Sequence, residues 1–212
     1  MIDYLHKIHK KYIQKKFEFS QAGQDIFALN LSGKNGTYIE IGAYLPKKNS
    51  NTYLLEVMHG WKGISIEYED KYKEFWVNSK KRFNKIYFSD ALNFDYKDKL
   101  KDNSLPLHIN YLSCDIDPPK DTFQALINVI EQGITFDFIS FEHDHYLKDQ
   151  FINDKNNYQK LAREYLEKKN YKVAIDNVYP KNKKNHIYET WYVSKNINYD
   201  ELNYNYWKSK NL

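Results

Sequence analysis

Two pairs of carboxylates, each with one residue between its members, close apolar stretches of this chain. Asp115 and Asp117 lie in "YLSCDIDPP", and Glu142 and Asp144 lie in "FISFEHD". Alternate side chains of an extended strand share a face, so the members of each pair should project together. If the two strands are neighbours in one sheet, the four carboxylates converge at one end of that sheet.

These acids permit two kinds of chemistry. Asp117, Glu142 and Asp144 could hold a divalent cation, and Mg²⁺ is the expected ion because it prefers oxygen ligands. Alternatively there is no metal, and His143 or Asp117 acts as a general base whose pKa is raised by neighbouring acids. The candidate catalytic residues are therefore Asp117, His143 and Asp144, and the residues alone leave both alternatives open.

Other polar residues end the earlier predicted strands. Glu67 ends one strand, where a carboxylate can accept hydrogen bonds from ribose hydroxyls. Gly42 ends another and allows a ligand to approach the backbone closely. The G-x-G-x-x-G motif that seats a pyrophosphate is absent, because "AYLPKKNS" follows Gly42. These features predict a nucleoside ligand without a diphosphate, and S-adenosylmethionine fits that description better than NAD.

Short β-rich runs alternate with helix-like runs over most of the chain, which predicts a parallel sheet with helices on both faces. The loop before the last strand is too short for a parallel crossover, so that strand should be antiparallel. The expected fold is a doubly wound, seven-stranded, mostly parallel α/β sheet of Rossmann-like type. The predicted strands are 37–42, 62–68, 85–91, 108–116, 136–144, 171–179 and 186–194.

The composition is typical of a soluble globular protein. Of the 212 residues, 42% are hydrophobic and 28% are charged, and the formal net charge is +4. Residues 19–195 should form one domain, with an amphipathic helix in 1–18 packed on it and a tail in 196–212. No apolar run is long enough to cross a bilayer. The single cysteine, Cys114, favours a cytoplasmic location.

Several stretches of the chain resemble the FkbM-type S-adenosylmethionine-dependent methyltransferases. They are "FSQAGQD", "GTYIEIGAYLPKKNSNTYLLEVMHGWKGISIEYED", "SCDIDPPKDTFQAL", "ISFEHDHY" and "YETWYVS". The resemblance covers roughly residues 19–194 and implies the class I methyltransferase fold, in agreement with the seven predicted strands. It also implies that S-adenosylmethionine is the cofactor and that a hydroxyl of a sugar or natural product receives the methyl group.

The resemblance further implies roles for individual residues. By position in the motifs and strands, the cofactor-binding residues would be Gln24, Glu40, Gly42, Ala43, Glu67, Asp90, Ala91 and Asp115. Glu67 matches the ribose-binding acid, and Asp90 with Ala91 the segment beside the adenine. Gln21, Asn51 and Thr52 match motifs that flank the cofactor cleft. Many family members have D-x-E-G where this chain has "DIDP" at 115–118. Pro118 thus replaces the glycine of the motif, so the acceptor pocket should differ.

Two other functions fit some of the residues. A D-P-P motif followed by an aromatic residue marks N-methyltransferases that act on nucleobases or amides, but Lys120 stands at the aromatic position. The chain could also be a catalytically inactive binding module with the same fold. Arginine, which favours phosphate and base recognition, occurs only at Arg82 and Arg163, so a nucleic-acid partner is not expected. The expected partner is a small-molecule or glycan acceptor.

Overall fold

A computed structural model of the chain describes residues 19–144, 156–180, 183 and 186–197. The predicted helix in 1–18 lies outside the described residues, and so does most of the predicted tail in 196–212. The proposed domain boundaries therefore stay predictions. None of the described helices is long and apolar enough to span a membrane.

Helices and strands alternate along the described part of the chain. The strands are β1 Thr37–Ile41, β2 Lys62–Glu67, β3 Lys85–Phe88, β4 His108–Cys114, β5 Thr135–Glu142, β6 Tyr171–Val178 and β7 Glu189–Ser194. The helices are α1 Gln24–Ser32, α2 Tyr53–His59, α3 Lys73–Val77, α4 Tyr96–Asp102, α5 Pro119–Glu131 and α6 Tyr158–Lys168. A short 3-10 helix, Asp70–Tyr72, precedes α3.

The seven strands form one sheet in the order β3-β2-β1-β4-β5-β7-β6. Neighbouring strands from β3 to β5 are parallel, whereas β7 is antiparallel to both β5 and β6. This arrangement confirms the predicted seven-stranded sheet with an antiparallel last strand. The strand order reverses between β1 and β4, which is where an open α/β sheet binds its ligand.

Apolar side chains cover both faces of the sheet. Alternation along β1 sends Ile39 and Ile41 to the face that packs on α4, α5 and α6, and sends Tyr38 to the face that packs on α1 and α2. On the second face Tyr111 of β4 stacks on Phe138 of β5, with ring centroids 4.8 Å apart. The described helices therefore bury both faces of the sheet.

Several predicted boundaries differ from the structure, and two of the differences bear on the candidate site. Strand β4 ends at Cys114 rather than at residue 116. Helix α5 begins at Pro119, with Pro118 as its N-cap, because the first turn of a helix tolerates proline well. The polar stretch at 93–106, for which no element was predicted, contains α4, whose first turn is capped by Asp95 accepting a hydrogen bond from Asp98 N.

Helical spacing in the sequence predicts helices at 70–83 and 154–170, and the structure makes both of them shorter. Helix α3 ends at Val77, since the chain beyond it turns back to contact α2: Phe83 N and Asn84 N both donate to the Glu56 carboxylate. Helix α6 is capped by Asn157, whose side chain accepts from Lys160 N at 3.0 Å. Asp154, the predicted cap, lies outside the described residues.

Candidate active site at the carboxyl end of the sheet

Five residues follow one another across the carboxyl end of the parallel strands. In spatial order from β2 to β7 they are Glu67, Gly42, Asp115, Glu142 and Glu189, which we call the edge row. Gly42 N donates to Ile66 O and Asp115 N donates to Ile41 O, each at 3.0 Å, so pairing continues past the ends of β1 and β4. Glu142 lies directly opposite Glu189. The row therefore brings four carboxyl groups and one glycine to the expected ligand-binding edge.

Gly42 permits the close packing at the centre of this row. Its φ of 82° is in the left-handed region, and a Cβ atom built on it would lie 1.6 Å from Asp115 O. The backbone N–H groups of Gly42 and Ala43 both point to Ile66 O, at 3.0 and 3.1 Å. A side chain at this position would push β1 and β4 apart, so the turn has room only for glycine.

Glu67 is held in place by two backbone N–H groups. Its Oε2 accepts from Tyr44 N at 2.6 Å and its Oε1 accepts from Glu69 N at 2.8 Å. The residue is 6% exposed. An ionised carboxylate has about four acceptor sites, so each oxygen keeps a lone pair for a ligand hydroxyl. A fixed carboxylate of this kind fits a ribose, whose two neighbouring hydroxyls are both donors.

Asp115 and Glu142 form an interacting pair at the middle of the row. Burial of the Asp115 carboxyl group raises its pKa to about 6, although a hydrogen bond with Glu142 opposes the increase. Burial, together with the charge of Asp115, also raises the pKa of Glu142 well above its usual range. At neutral pH the pair should share one proton and keep one negative charge, which makes it a proton acceptor.

Asp117 does not share the environment of Asp115. The strand ends before both residues, so the alternation argument that paired them does not apply. Asp117 is exposed, whereas Asp115 is half-buried, although the charge of Asp117 contributes to the raised pKa of Asp115. Asp117 is therefore placed at the solvent side of the edge row rather than within it.

Glu189 is a member of the row that sequence reasoning missed. It is 1% exposed, and its Oε2 accepts from Gln24 Nε2 at 2.9 Å and from Trp191 Nε1 at 2.5 Å. Gln24 Nε2 also donates to Tyr188 Oη at 2.8 Å. Burial raises the pKa of Glu189 to about 8. Gln24, which was predicted to bind the cofactor, thus links α1 to Glu189. The alternation of side chains in "ETWYVS" places Glu189 on the same face as Trp191, and this pattern could have identified Glu189 from the sequence.

His143 and Asp144 lie just beyond β5 and are both buried. Their backbone N–H groups donate to Tyr188 O at 2.7 and 3.1 Å, which fixes this turn against the chain before β7. The His143 imidazole contacts Thr190 Oγ1 through Nε2 at 3.1 Å. In the part of the chain that the structure describes, no three His, Cys, Asp or Glu side chains are arranged to hold a metal ion. The predicted magnesium site at Asp117, Glu142 and Asp144 is thus not supported.

Glu40 lies two residues before Gly42 on β1, within a buried polar network. Its carboxylate accepts from Thr52 Oγ1 at 2.8 Å and from Ser65 Oγ at 2.9 Å. Arg82 completes the network with a buried ion pair to Glu56 at 2.7 Å and a longer contact to Glu40 at 3.5 Å. Because its described partners are protein groups, Glu40 is placed to fix the loop after Gly42. Sequence reasoning noted Arg82 only as one of the two arginines.

Asp90 and Ala91 follow β3 at the same end of the sheet. Asp90 accepts from Leu92 N at 2.9 Å and from Asn93 Nδ2 at 2.7 Å, which closes a tight turn. Ala91 is buried and its carbonyl accepts from Tyr96 Oη at 3.0 Å. Ser89 N donates to the backbone oxygen of Glu67 at 2.8 Å, so this turn lies beside the end of β2.

Two surface cavities lie elsewhere. One of about 360 Å³ is lined by residues at the start of β2 and β3, including Lys62 and Lys85. The other, of about 580 Å³, lies beside α4 and Leu107. The residues that line both cavities lie towards the amino ends of the strands, and none of them belongs to the edge row.

Comparison with known proteins shows similarity in structure only. No protein-family model matches the sequence, and no curated protein matches it either. The N-methyltransferase NodS from Bradyrhizobium japonicum WM9 is similar with a TM-score of 0.54 and 10% identity, over 81% of this chain and 92% of that one. The Aeropyrum pernix fibrillarin, in complex with natively bound S-adenosyl-L-methionine, is similar with a TM-score of 0.51 and 11% identity, over 76% of this chain and 67% of that one.

An O-methyltransferase from Bacillus cereus, in complex with SAH, gives a TM-score of 0.50 at 13% identity, over 90% of this chain and 87% of that one. At these identities the similarity shows the fold and leaves the FkbM family assignment a prediction. The chain has the fold of the class I S-adenosylmethionine-dependent methyltransferases.

Proposed function

We propose that this protein is an S-adenosylmethionine-dependent methyltransferase that methylates a hydroxyl group of a small molecule or glycan. The observation that carries the proposal is the edge row, in which a fixed carboxylate, a close-packed glycine turn and a carboxyl pair with raised pKa values stand side by side. The class I fold and the FkbM resemblance support the same activity.

The chain's residues fit the cofactor in three places. Glu67 would accept hydrogen bonds from the ribose hydroxyls, and the Gly42–Ala43 turn would lie against the sulfur-bearing chain. The turn at Asp90 and Ala91 would flank the adenine. Glu40 and Gln24 would not contact the cofactor but would position residues near it. Glu40 accepts a hydrogen bond from the Thr52 hydroxyl, and Gln24 donates one to Glu189. Bound S-adenosylmethionine supplies an electrophilic methyl group on a sulfonium.

A hydroxyl acceptor is favoured by the carboxyl pair. A sugar hydroxyl is a weak nucleophile and benefits from a base that removes its proton during transfer. The pair of Asp115 and Glu142 holds negative charge near neutral pH and has a pKa suited to that task. Asp117, exposed beside the pair, would contact the acceptor. We propose no metal, since the described acids are not arranged as a metal site.

A transfer assay tests the proposal. The purified protein is incubated with methyl-labelled S-adenosylmethionine and either simple glycosides and polyols or the matching amino compounds, with and without a chelator. We expect label in the hydroxyl compounds in both conditions, and at least a hundredfold loss in D115N. D102N, which changes an exposed acid on α4, is the control and should stay active. Label in the amino compounds alone, or no transfer to any acceptor, would contradict the proposal.

A further inference from the structure

A cavity at the amino end of the sheet is lined by residues that the proposed methyl transfer does not use. It has a volume of about 360 Å³, which is within the range of roughly 300–1,000 Å³ that small-molecule sites occupy. Its lining includes Lys62 at the start of β2 and Lys85 at the start of β3, and we call it the amino-end cavity. Glu67 ends β2 at the opposite end of the strand, so this cavity is separate from the edge row.

Two asparagines offer hydrogen-bond acceptors to the amino-end cavity. Asn84 Nδ2 donates to Trp61 O at 2.9 Å, and Asn103 Nδ2 donates to Lys99 O at 2.7 Å. Because a backbone oxygen can only accept, these contacts determine which end of each side-chain amide is the donor. None of the described residues donates to either Oδ1, and neither oxygen is closed off from solvent. Both oxygens can therefore accept hydrogen bonds from the hydroxyl or N–H groups of a ligand.

The charge around the amino-end cavity is positive. Lys62 and Lys85 are both exposed, and neither forms an ion pair within the part of the chain that the structure describes. Among the described residues that line the cavity there is no acid. Asp102, which precedes Asn103 in the chain, is already paired with Lys99 at 2.8 Å. Two ammonium groups without a carboxylate partner are suited to bind a phosphate or carboxylate group of a ligand.

Phe83 places an exposed aromatic ring at the amino-end cavity. The residue is 75% exposed, although its backbone is fixed, because Phe83 N and Asn84 N both donate to the buried carboxylate of Glu56. Leu105 adds an aliphatic side chain to the same lining. An apolar ring on a fixed backbone can pack against the C–H groups of a sugar ring, and little conformational entropy is lost when it does so.

We propose that the amino-end cavity binds a sugar that carries one anionic group. The sugar ring would pack on Phe83, and its hydroxyls would donate to Asn84 Oδ1 and Asn103 Oδ1. Its phosphate or carboxylate group would pair with Lys62 and Lys85. A simple anion would use the lysines alone, and a neutral sugar would leave both ammonium groups unpaired. The proposal does not depend on the proposed methyl transfer, because none of these residues belongs to the edge row.

A titration of the full chain, followed by nuclear magnetic resonance, tests the proposal. Glucose 6-phosphate and glucuronic acid are the probes, and they distinguish a phosphate from a carboxylate as the anionic group. Glucose and inorganic phosphate represent the two halves of the ligand. We expect at least one anionic sugar to bind with a Kd on the order of 1 mM or tighter, and at least tenfold more tightly than glucose or phosphate. The backbone amide signals of Gly63, Asn84 and Asn103, which line the cavity, should shift.

Two variants with matched controls separate the aromatic ring from the charges. F83A should bind the anionic sugar at least fivefold more weakly and inorganic phosphate normally, whereas F75A, which removes an exposed ring on α3, should change neither. The double variant K62Q/K85Q should bind the anionic sugar at least tenfold more weakly and glucose normally. K160Q/K168Q removes the same charge from exposed positions on α6 and should bind the anionic sugar normally. All of these side chains are exposed, so the variants should fold.

Three results would overturn the proposal. If inorganic phosphate binds as tightly as both anionic sugars, the cavity binds an anion and does not recognise a sugar. If F83A and F75A bind the anionic sugar equally, the Phe83 ring is not a contact. If no probe shifts the signals of Gly63, Asn84 and Asn103, the cavity is not a binding site for sugars. None of these results involves S-adenosylmethionine, so each would leave the proposed function unaffected.

Discussion

At the scale of residues, the chemistry of the edge row comes from carboxyl groups that are held close together and buried. Burial raises the pKa of both Asp115 and Glu142, and the charge of Asp115 raises the pKa of Glu142 further, so the pair retains a proton at a pH where exposed acids have lost theirs. A carboxyl pair of this kind titrates as a unit. Its basic form appears near neutral pH, where it can accept the proton of a hydroxyl.

The pH dependence of turnover should identify the member of the pair that matters. We expect kcat to rise with pH through about 6, because Asp115, with a pKa of about 6, has to lose its proton to act as a base. D115N should remove this rise and lower kcat by roughly 10²–10⁴. E142Q, which keeps a hydrogen-bond donor beside Asp115, should retain the rise. A D115N protein with the original pH profile would exclude Asp115 as the base.

At the scale of elements, the site depends on how the β1 turn meets the end of β4. The Gly42 backbone packs on Asp115 O, and the loop that follows is fixed to the sheet through Thr52 and Glu40. Arg82, from the chain after α3, reaches the same network and donates to Pro46 O at 3.0 Å. Three separate segments thus hold the turn, and the cofactor edge should be rigid before any ligand binds.

Substitution of Gly42 tests this packing. G42A should destabilise the protein strongly, because its left-handed backbone disfavours a side chain and the new Cβ would overlap Asp115 O. G133A is the matched control: its φ is also 82°, and no heavy atom lies within 4 Å of the added Cβ. G133A should cost about 1–2 kcal/mol from the backbone alone, and G42A more than twice as much, in chemical denaturation. Equal costs would contradict the close contact at Gly42.

The sequence predicted elements better than contacts. The alternation of short β-rich runs and helix-like runs was enough for the sheet and its antiparallel last strand, because hydrophobic periodicity is a local property. The strand-end residues Glu67 and Gly42 were found by the same logic. Glu189 and Arg82 were missed, since their importance arises from partners distant in sequence, namely Gln24 and Glu56. The prediction that Asp115 and Asp117 project together assumed a strand that continues to residue 116, whereas β4 ends at Cys114.

At the scale of the whole molecule, burying acids in the edge row lowers the free energy of unfolding at a pH where those acids would ionise in water. Glu189 lies across from Glu142 and is nearly inaccessible to water, and its pKa is raised to about 8. The folded protein therefore binds a proton there that the unfolded chain releases near pH 4.5. Sites that bind and react often carry such unfavourable charges.

This linkage predicts how stability changes with pH. The folded state holds more protons than the unfolded state between about pH 4.5 and 8, so the free energy of unfolding should fall as pH rises across that range and then level off. E189Q, which can still accept from Trp191 and Gln24, should show a smaller fall. Urea denaturation at a series of pH values measures this effect. An unchanged pH slope in E189Q would show that Glu189 is not the responsible group.

The central claim, that this fold binds S-adenosylmethionine with Glu67 on the ribose, is tested most directly by calorimetry on the unaltered protein and E67A. The account predicts that the unaltered protein binds S-adenosylmethionine and that E67A binds it at least a hundredfold more weakly, while E74A, which changes an exposed acid on α3, binds it normally. Equal affinity in E67A and the unaltered protein, or no binding by the unaltered protein, would contradict the account.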